Sequence, residues 1–365
     1  MFAIAAFPDR PDPLIVSLSE PTPPGPGEVL CRTVELGICG TDREILASRQ
    51  PLVPPGADFL ALGHECLAEV VAVGEGVDQL SSGDWVVPLV RRPLARAAGH
   101  RVDMLSFGDY GERGIVWEHG FSAPRWIDRP SYLIPVPLEL LDVAVLTEPL
   151  AVAEKGVNEA AILQRARLGD IWRQPPRVLV TGLGPIGLAA VLACSARNWP
   201  VTVFGRDRAD TFRADLVRRL GGEYVSADTN GWAWTTDRPD EEGFDLILEC
   251  TGNDHLTLSA ARRLASRGVM VWLGSMRRMA ERPHAVSQLM RDGILRNHLH
   301  VGSVNAAPRD FRDALKHLAD AKARNFAAVA DLITKRVSPA DSLVDFVRRE
   351  PQGVKVVLDY RDFTG

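Results

Sequence analysis

Three short stretches hold residue types that could do chemistry together. They are Gly37-Ile38-Cys39-Gly40-Thr41-Asp42, Gly63-His64-Glu65, and Gly182-Leu183-Gly184-Pro185-Ile186-Gly187. A thiolate and an imidazole are good zinc ligands, and a catalytic zinc keeps one position for water or substrate. Glycines flank the first two stretches and let backbone and side chains crowd around an ion. Taken singly, Cys39 reads as a buried thiol and His64 as a satisfied core histidine. The third stretch, about 120 residues downstream of His64, favours the metal reading of both. Its glycines allow a tight turn and a close approach to a pyrophosphate, and a helix N-terminus there would supply N–H donors and a favourable dipole. It follows the apolar run Val178 to Val180 and precedes a helix-forming stretch, the context that separates a dinucleotide fingerprint from an incidental glycine turn.

The strand after that helix selects the nicotinamide cofactor. NAD binders place Asp or Glu near its end, whereas an Arg accommodates the 2′-phosphate of NADP. Here the run is Val203-Phe204-Gly205-Arg206-Asp207-Arg208. Gly205 stands where the acid is expected and Arg206 can reach a phosphate, so NADP is favoured. Asp207 keeps NAD open, and Arg206 and Arg208 also read as solvated surface arginines.

The elements that must position these residues fall into three parts. To about residue 148, short apolar runs punctuated by Gly and Pro (GEVLCRTVELGICG, ECLAEVVAVGEGV) read as strands of an antiparallel, barrel-like domain. Between Arg91 and Ser131 the pattern weakens into an irregular, polar lobe. From RVLVTGLGPIGLAAVLACSARNWPVTVFGR to VMVWLGS, strand and helix alternate at the spacing of a parallel sheet with right-handed crossovers. From about residue 305, the amphipathic stretch PRDFRDALKHLADAKA and the strand-like VKVVLDY are expected to return to the first domain. The expected class is α/β, a β-rich catalytic domain over 1–150 and a doubly wound parallel sheet over 151–304, with 305–365 returning.

Composition narrows the class. With 46% hydrophobic and 24% charged residues, the 365-residue chain has the make-up of a globular enzyme. A net charge of −5 without a basic block argues against nucleic acid as a partner. No apolar run is long enough to span a bilayer, and the opening MFAIAAFPDRPDP lacks a basic n-region. Five scattered cysteines imply no disulfide framework. The expectation is a cytoplasmic protein with no membrane partner.

The pair G-I-C-G-T-D and G-H-E, with the later glycine motif, resembles the zinc-containing medium-chain dehydrogenases across essentially the whole chain. Such a resemblance implies a GroES-like catalytic domain, a Rossmann domain and an active site in the cleft between them. Cys39-Gly40-Thr41-Asp42-Arg43-Glu44, Gly108-Asp109-Tyr110 with Glu112-Arg113-Gly114, Glu148-Pro149-Leu150 and Gly302-Ser303-Val304-Asn305-Ala306 are similar to segments of the glucose (aldose 1-) dehydrogenase branch. The resemblance implies zinc ligation by Cys39 and His64, with Glu65 as a direct or exchangeable ligand and Glu148 binding directly or through water. It implies proton relay by Thr41 and sugar binding by Glu112 and Asn305. It places the cofactor at Gly182–Gly187, Gly205–Arg208, Thr251, Leu273, Gly274, Ser275, Ser303, Val304, Asn305 and Lys355. Plainer readings stand beside these: Glu148 as a helix N-terminal acid, Glu112 as a loop carboxylate, Asn305 as a turn residue, Lys355 as a surface lysine.

The implied reaction is oxidation of an aldose at C1 to the aldonolactone, with hydride passing to the nicotinamide. Rival readings are a polyol or secondary-alcohol dehydrogenase on the same zinc and cofactor, and a non-catalytic NADPH-binding protein. Many relatives carry a second, structural zinc on four cysteines in the lobe. This chain has none between Cys66 and Cys194, so a single catalytic zinc is expected and the lobe must be held by packing or subunit contacts. A homo-oligomer, dimer or tetramer, is expected by the same resemblance.

Overall fold

A computed structural model describes residues 1–97, 99–169, 175–230, 243–274 and 286–363. The chain forms two compact units. One comprises Met1–Glu148, Asn305–Leu315 and Ile333–Gly365, the other Pro149–Val304 and Lys316–Leu332.

The first unit is built on the strand Val29–Gly37, which is buried at Val29 and Cys31 and then continuously from Thr33 to Gly37. It pairs antiparallel with Glu65–Val73 on one edge and Lys355–Asp359 on the other. The register sets Gly37 opposite both Glu65 and Val357. Three strand ends therefore meet at one place: Cys39 leaves one, Glu65 begins the second and Lys355 begins the third. Beneath them Leu36, Ile38, Leu62, Phe121, Trp126 and Leu358 form a buried apolar core. The helix Pro308–Ala330 has its residues to Leu315 in the first unit and those from Lys316 in the second. In its later part His317 Nδ1 lies 2.8 Å from Glu154 Oε1, and Glu154 belongs to the second unit, as do residues 316–332.

The second unit holds a six-stranded parallel sheet. Its strands run in the spatial order Glu223–Ser226, Val201–Gly205, Val178–Thr181, Phe244–Glu249, Leu264–Trp272 and Leu299–Gly302. The chain winds outward from Val178–Thr181 in both directions, the doubly wound arrangement expected from the alternating pattern. The helix Pro185–Ala196 covers the start of this winding, its residues from Gly187 to Cys194 all buried.

The polar lobe contains its own small sheet of Arg91–Pro93, Tyr110–Arg113 and Trp117–Glu118. Arginines tie this lobe together. Arg92 forks onto Asp128 at 2.5 and 3.3 Å, donates to Leu89 O at 2.7 Å and stacks over Tyr132. Arg96 pairs with Asp109, and Arg101 with Asp103. The Arg92–Asp128 pair is buried on both sides, and Arg113 is the other cation near Asp128, at 4.0 Å. Breaking a buried pair by removing one partner costs about 3–5 kcal/mol. Arg92→Met is therefore expected to lower stability by about 3 kcal/mol and Arg92→Lys by less, read from urea denaturation midpoints; an unchanged midpoint in Arg92→Met would show that the pair does not hold the lobe.

Candidate active site

The three converging strand ends bring Cys39, His64 and Glu65 together, with one ligand atom from each lying within 4.8 Å of the others. Gly37 makes room for this. A β-carbon there would lie 2.3 Å from Glu65 Oε2, so any other residue would displace the carboxylate. Asp42, fully buried in the first turn of the helix Gly40–Ser48, ties the two ligand segments to each other. Its Oδ2 accepts from Cys39 N at 2.8 Å and its Oδ1 from Gly63 N at 3.4 Å. Thr41 Oγ1 lies 3.7 Å from Cys39 Sγ. Lys355 is buried, its Nζ donating to Glu65 Oε1 at 2.6 Å and to Ile38 O at 3.3 Å. The sequence placed Lys355 near the cofactor; its ammonium is engaged within the cluster of acids.

The cluster fits a divalent cation. His64 Nδ1 is buried without a hydrogen bond, the Asp42 carboxylate oxygen standing 3.6 Å away. Burial pulls the His64 imidazole down, yet Asp42 and Cys39 outweigh it and hold the ring well above its usual value. Burial, with Glu65 adding to it, pushes the Glu148 carboxyl up to about 7 against the pull of His64 and Lys355. A cysteine sulfur, an imidazole and carboxylates crowded into one site form a donor set that a zinc ion satisfies. Glu148 lies outside the tight group of three but shares its electrostatic surroundings.

Glu112 and Asn305 meet in the same unit. Asn305 holds a left-handed backbone at φ 62° and donates from Nδ2 to Glu112 Oε1 at 3.2 Å. Sequence reasoning overlooked the third partner, Arg91. Its buried guanidinium reaches the same Oε1 at 2.9 and 3.0 Å and stacks on Tyr110, 3.7 Å from the ring centre. Three donors on Oε1 fix the carboxylate and direct Oε2 to other partners. The Arg91-Arg92 pair at the start of the lobe was the available signal, visible only as two charges in an apolar run.

In the second unit the glycine turn opens onto the helix Pro185–Ala196, whose N-terminus at Gly184 has no side-chain cap. Its first N–H groups are left for an anion. A β-carbon at Gly187 would lie 2.2 Å from Gly182 O, so the helix packs against the turn only with glycine there. Glu249, buried at the end of Phe244–Glu249, organises the facing loop. It accepts from Thr251 N at 2.8 Å, Gly252 N at 3.0 Å and Thr181 Oγ1 at 3.1 Å. Leu273 N and Gly274 N both bond Glu249 O. The expected cofactor residues Gly182–Gly187, Thr251, Leu273 and Gly274 thus share one end of the sheet, and Glu249 is the positioning acid that the motif FDLILECTG did not announce. Ser303 N bonds Trp272 O at 3.1 Å, and Val304 O accepts from Lys155 Nζ at 2.7 Å. Ser275 lies outside the described residues.

Residues 25–127 match the family described as alcohol dehydrogenase GroES-like domain, and residues 141–360 that described as glucose dehydrogenase C-terminus. A GroES-like half with a thiolate–imidazole–carboxylate cluster, followed by a doubly wound sheet, is the make-up of a zinc-dependent medium-chain dehydrogenase. Glucose 1-dehydrogenase of Thermoproteus tenax is 41% identical over 98% of this chain and 99% of its own. Glucose 1-dehydrogenase 1 of Caldivirga maquilingensis is 39% identical with the same coverage. The glucose dehydrogenase of Haloferax mediterranei, solved with NADP, Zn and gluconolactone, superposes with a TM-score of 0.87 at 28% identity, covering 98% of this chain and 99% of that one. The chain belongs to the glucose dehydrogenase family.

Outer partners of metal ligands change affinity by about 10–100-fold when removed. Asp42→Ala is expected to weaken zinc binding by about that factor while the far-ultraviolet circular dichroism stays native. Competition against a chromophoric chelator measures it, and an unaltered zinc affinity would relieve Asp42 of the positioning role.

Proposed function

We propose that this protein oxidises an aldose at C1 to the aldonolactone, reducing NADP, with zinc held by Cys39, His64 and Glu65 and with Glu148 as a further direct or water-bridged ligand. The observation that carries this is the Cys39–His64–Glu65 cluster, its histidine and glutamate buried, in a chain of the glucose dehydrogenase family. Bound there, zinc supplies Lewis-acid polarisation of the hydroxyl being oxidised, and the nicotinamide accepts the hydride.

The chain's own residues do the rest. Thr41, whose hydroxyl stands beside Cys39 Sγ, takes the released proton towards solvent. Glu112, held by Arg91 and Asn305 through one oxygen, presents the other to sugar hydroxyls, and the Asn305 amide adds a second polar contact. Lys355 restrains Glu65 by donating to its Oε1, and Glu65 would offer its carboxylate to the ion from that fixed position. The glycine turn Gly182–Gly187 and the uncapped helix behind it receive the pyrophosphate. Thr251, Leu273, Gly274, Ser303 and Val304 flank the nucleotide, and Gly205 to Arg208 meet its adenosine ribose.

The same proposal takes 1–150 as the catalytic domain, 151–304 as the nucleotide-binding domain and 305–365 as the returning segment. It takes the protein as a cytoplasmic homo-oligomer; among the described residues no helix is long and apolar enough to cross a membrane.

Initial rates with NADP and NAD against glucose, galactose, xylose, sorbitol and threonine, with and without a zinc chelator, test the reading. Chelator-sensitive NADPH formation with an aldose is expected, and His64→Ala should abolish turnover while leaving NADPH binding intact. Turnover confined to sorbitol or threonine would transfer the chain to polyol or secondary-alcohol oxidation, and full turnover in His64→Ala would remove the zinc mechanism.

A further inference from the structure

The small sheet of the lobe sorts its side chains onto two faces. On one, Arg92 and Arg113 turn to Asp128, and Arg113 lies over the Phe121 ring, 4.8 Å from its centre. Glu118 shares that face, since a β-carbon at Gly111 would fall 2.8 Å from its Oε1. Strand alternation then puts Arg91, Tyr110, Glu112 and Trp117 on the other face. The register agrees: Glu112 stands opposite Arg91 in one neighbouring strand and opposite Trp117 in the other. The Glu112 carboxylate is thus flanked by a guanidinium on one side and an indole on the other.

Trp117 is held there against the preference of its own backbone. Its φ of 53° is left-handed, a conformation that a bulky residue keeps only where its surroundings impose it. Trp117 N donates to Leu52 O at 2.9 Å. Glu112 and Val116 exchange backbone bonds of 2.7 and 2.9 Å across the preceding turn. Phe107, 68% exposed, packs on the indole with ring centres 5.4 Å apart and meets Tyr110 edge-on at 6.3 Å. These ring contacts place the indole on the Tyr110 face independently of the register.

Neither zinc ligation nor the glycine turn uses these rings, yet they border the carboxylate that takes sugar hydroxyls. A pyranose carries hydroxyls around its rim and C–H bonds on its two faces. A carboxylate suits the rim, and a flat indole suits a face, where it removes apolar area from water. An open-chain polyol has similar hydroxyls but no rigid face to stack.

We propose that Trp117, backed by Phe107, is a sugar-binding and specificity-determining residue: its indole stacks on the C–H face of the aldopyranose whose rim hydroxyl bonds Glu112, and so favours ring substrates over open-chain polyols. This rests on the aldose dehydrogenase reading and names the residue that recognises the ring.

The test is initial-rate kinetics of the intact, zinc-loaded protein with glucose at saturating NADP. It is paired with competitive inhibition by 1,5-anhydroglucitol, the glucose ring without its anomeric hydroxyl. Trp117→Gly removes the indole and relieves the left-handed backbone. It is expected to raise the KM for glucose and the Ki of the ring analogue about tenfold, with kcat within about threefold of wild type. Trp117→Phe should keep both constants near wild type. Phe107→Ala, at an exposed site whose truncation leaves the core intact, should raise KM about threefold. Zinc content and NADP affinity should stay unchanged in all three variants. Constants within twofold of wild type in Trp117→Gly or, should that variant not fold, in Phe107→Ala would overturn the inference. So would a fall in kcat at unchanged KM, loss of zinc from Trp117→Gly, or a Trp117→Phe as impaired as Trp117→Gly. A wild-type protein that turns over no aldose would instead overturn the dehydrogenase reading itself.

Discussion

Acids, a thiol, an imidazole and an ammonium are packed into one dry corner of the antiparallel unit, and the cost of taking them out of water shapes what surrounds them. A buried charge is tolerated only when it is paired or bound to a metal. Asp42, Glu65 and Lys355 are almost wholly buried, and each has a partner that also positions a neighbour. Asp42 bonds the backbone of Cys39 and of Gly63, beside His64, and so ties together two segments that bring residues to the cluster. Lys355 draws the last strand of the chain, more than 280 residues away in sequence, onto the acid at residue 65. The strand register follows from the same need, because a one-residue slip would turn Glu65 or Lys355 to the opposite face.

The nucleotide unit shows the same economy with one acid, Glu249. Its two carboxylate oxygens and its carbonyl collect donors from Thr181, Thr251, Gly252, Leu273 and Gly274. The loops at that end of the sheet are thereby tied to a single buried group, and the glycine turn can approach them closely. Close approach is the reason for glycine at 187, where the helix packs on the turn's own backbone.

In the lobe, planar guanidiniums give rigidity through forked carboxylate bonds and stacking on aromatic rings. Arg91 goes further, because the acid it grips is Glu112 and not a structural partner. The lobe's ion pairing and the orientation of the Glu112 carboxylate thus depend on neighbouring residues of one strand.

Motifs whose chemistry is local were legible in the sequence. The turn Gly182–Gly187 with its flanking strand and helix, the ligand pairs at Cys39 and His64, and the missing acid at Gly205 all depend on adjacent residues, and periodicity alone implied a barrel-like unit and a parallel sheet. What joins distant residues was not legible. Lys355 could be a surface lysine until the strand Lys355–Asp359 is laid against Val29–Gly37. Arg91 showed only as one of two charges in an apolar run, and the positioning roles of Asp42 and Glu249 gave no signal, because a buried ion pair or a carboxylate collecting backbone N–H groups has no spacing to betray it. Asp207 left NAD open in the sequence, and only the folded chain brings Arg213 to both of its oxygens. The sequence alone determined which side chains could hold a metal and a dinucleotide, since residue type and short-range spacing set that chemistry; tertiary structure decided which charges are paired, since pairing depends on distances between segments that meet only when the chain is folded.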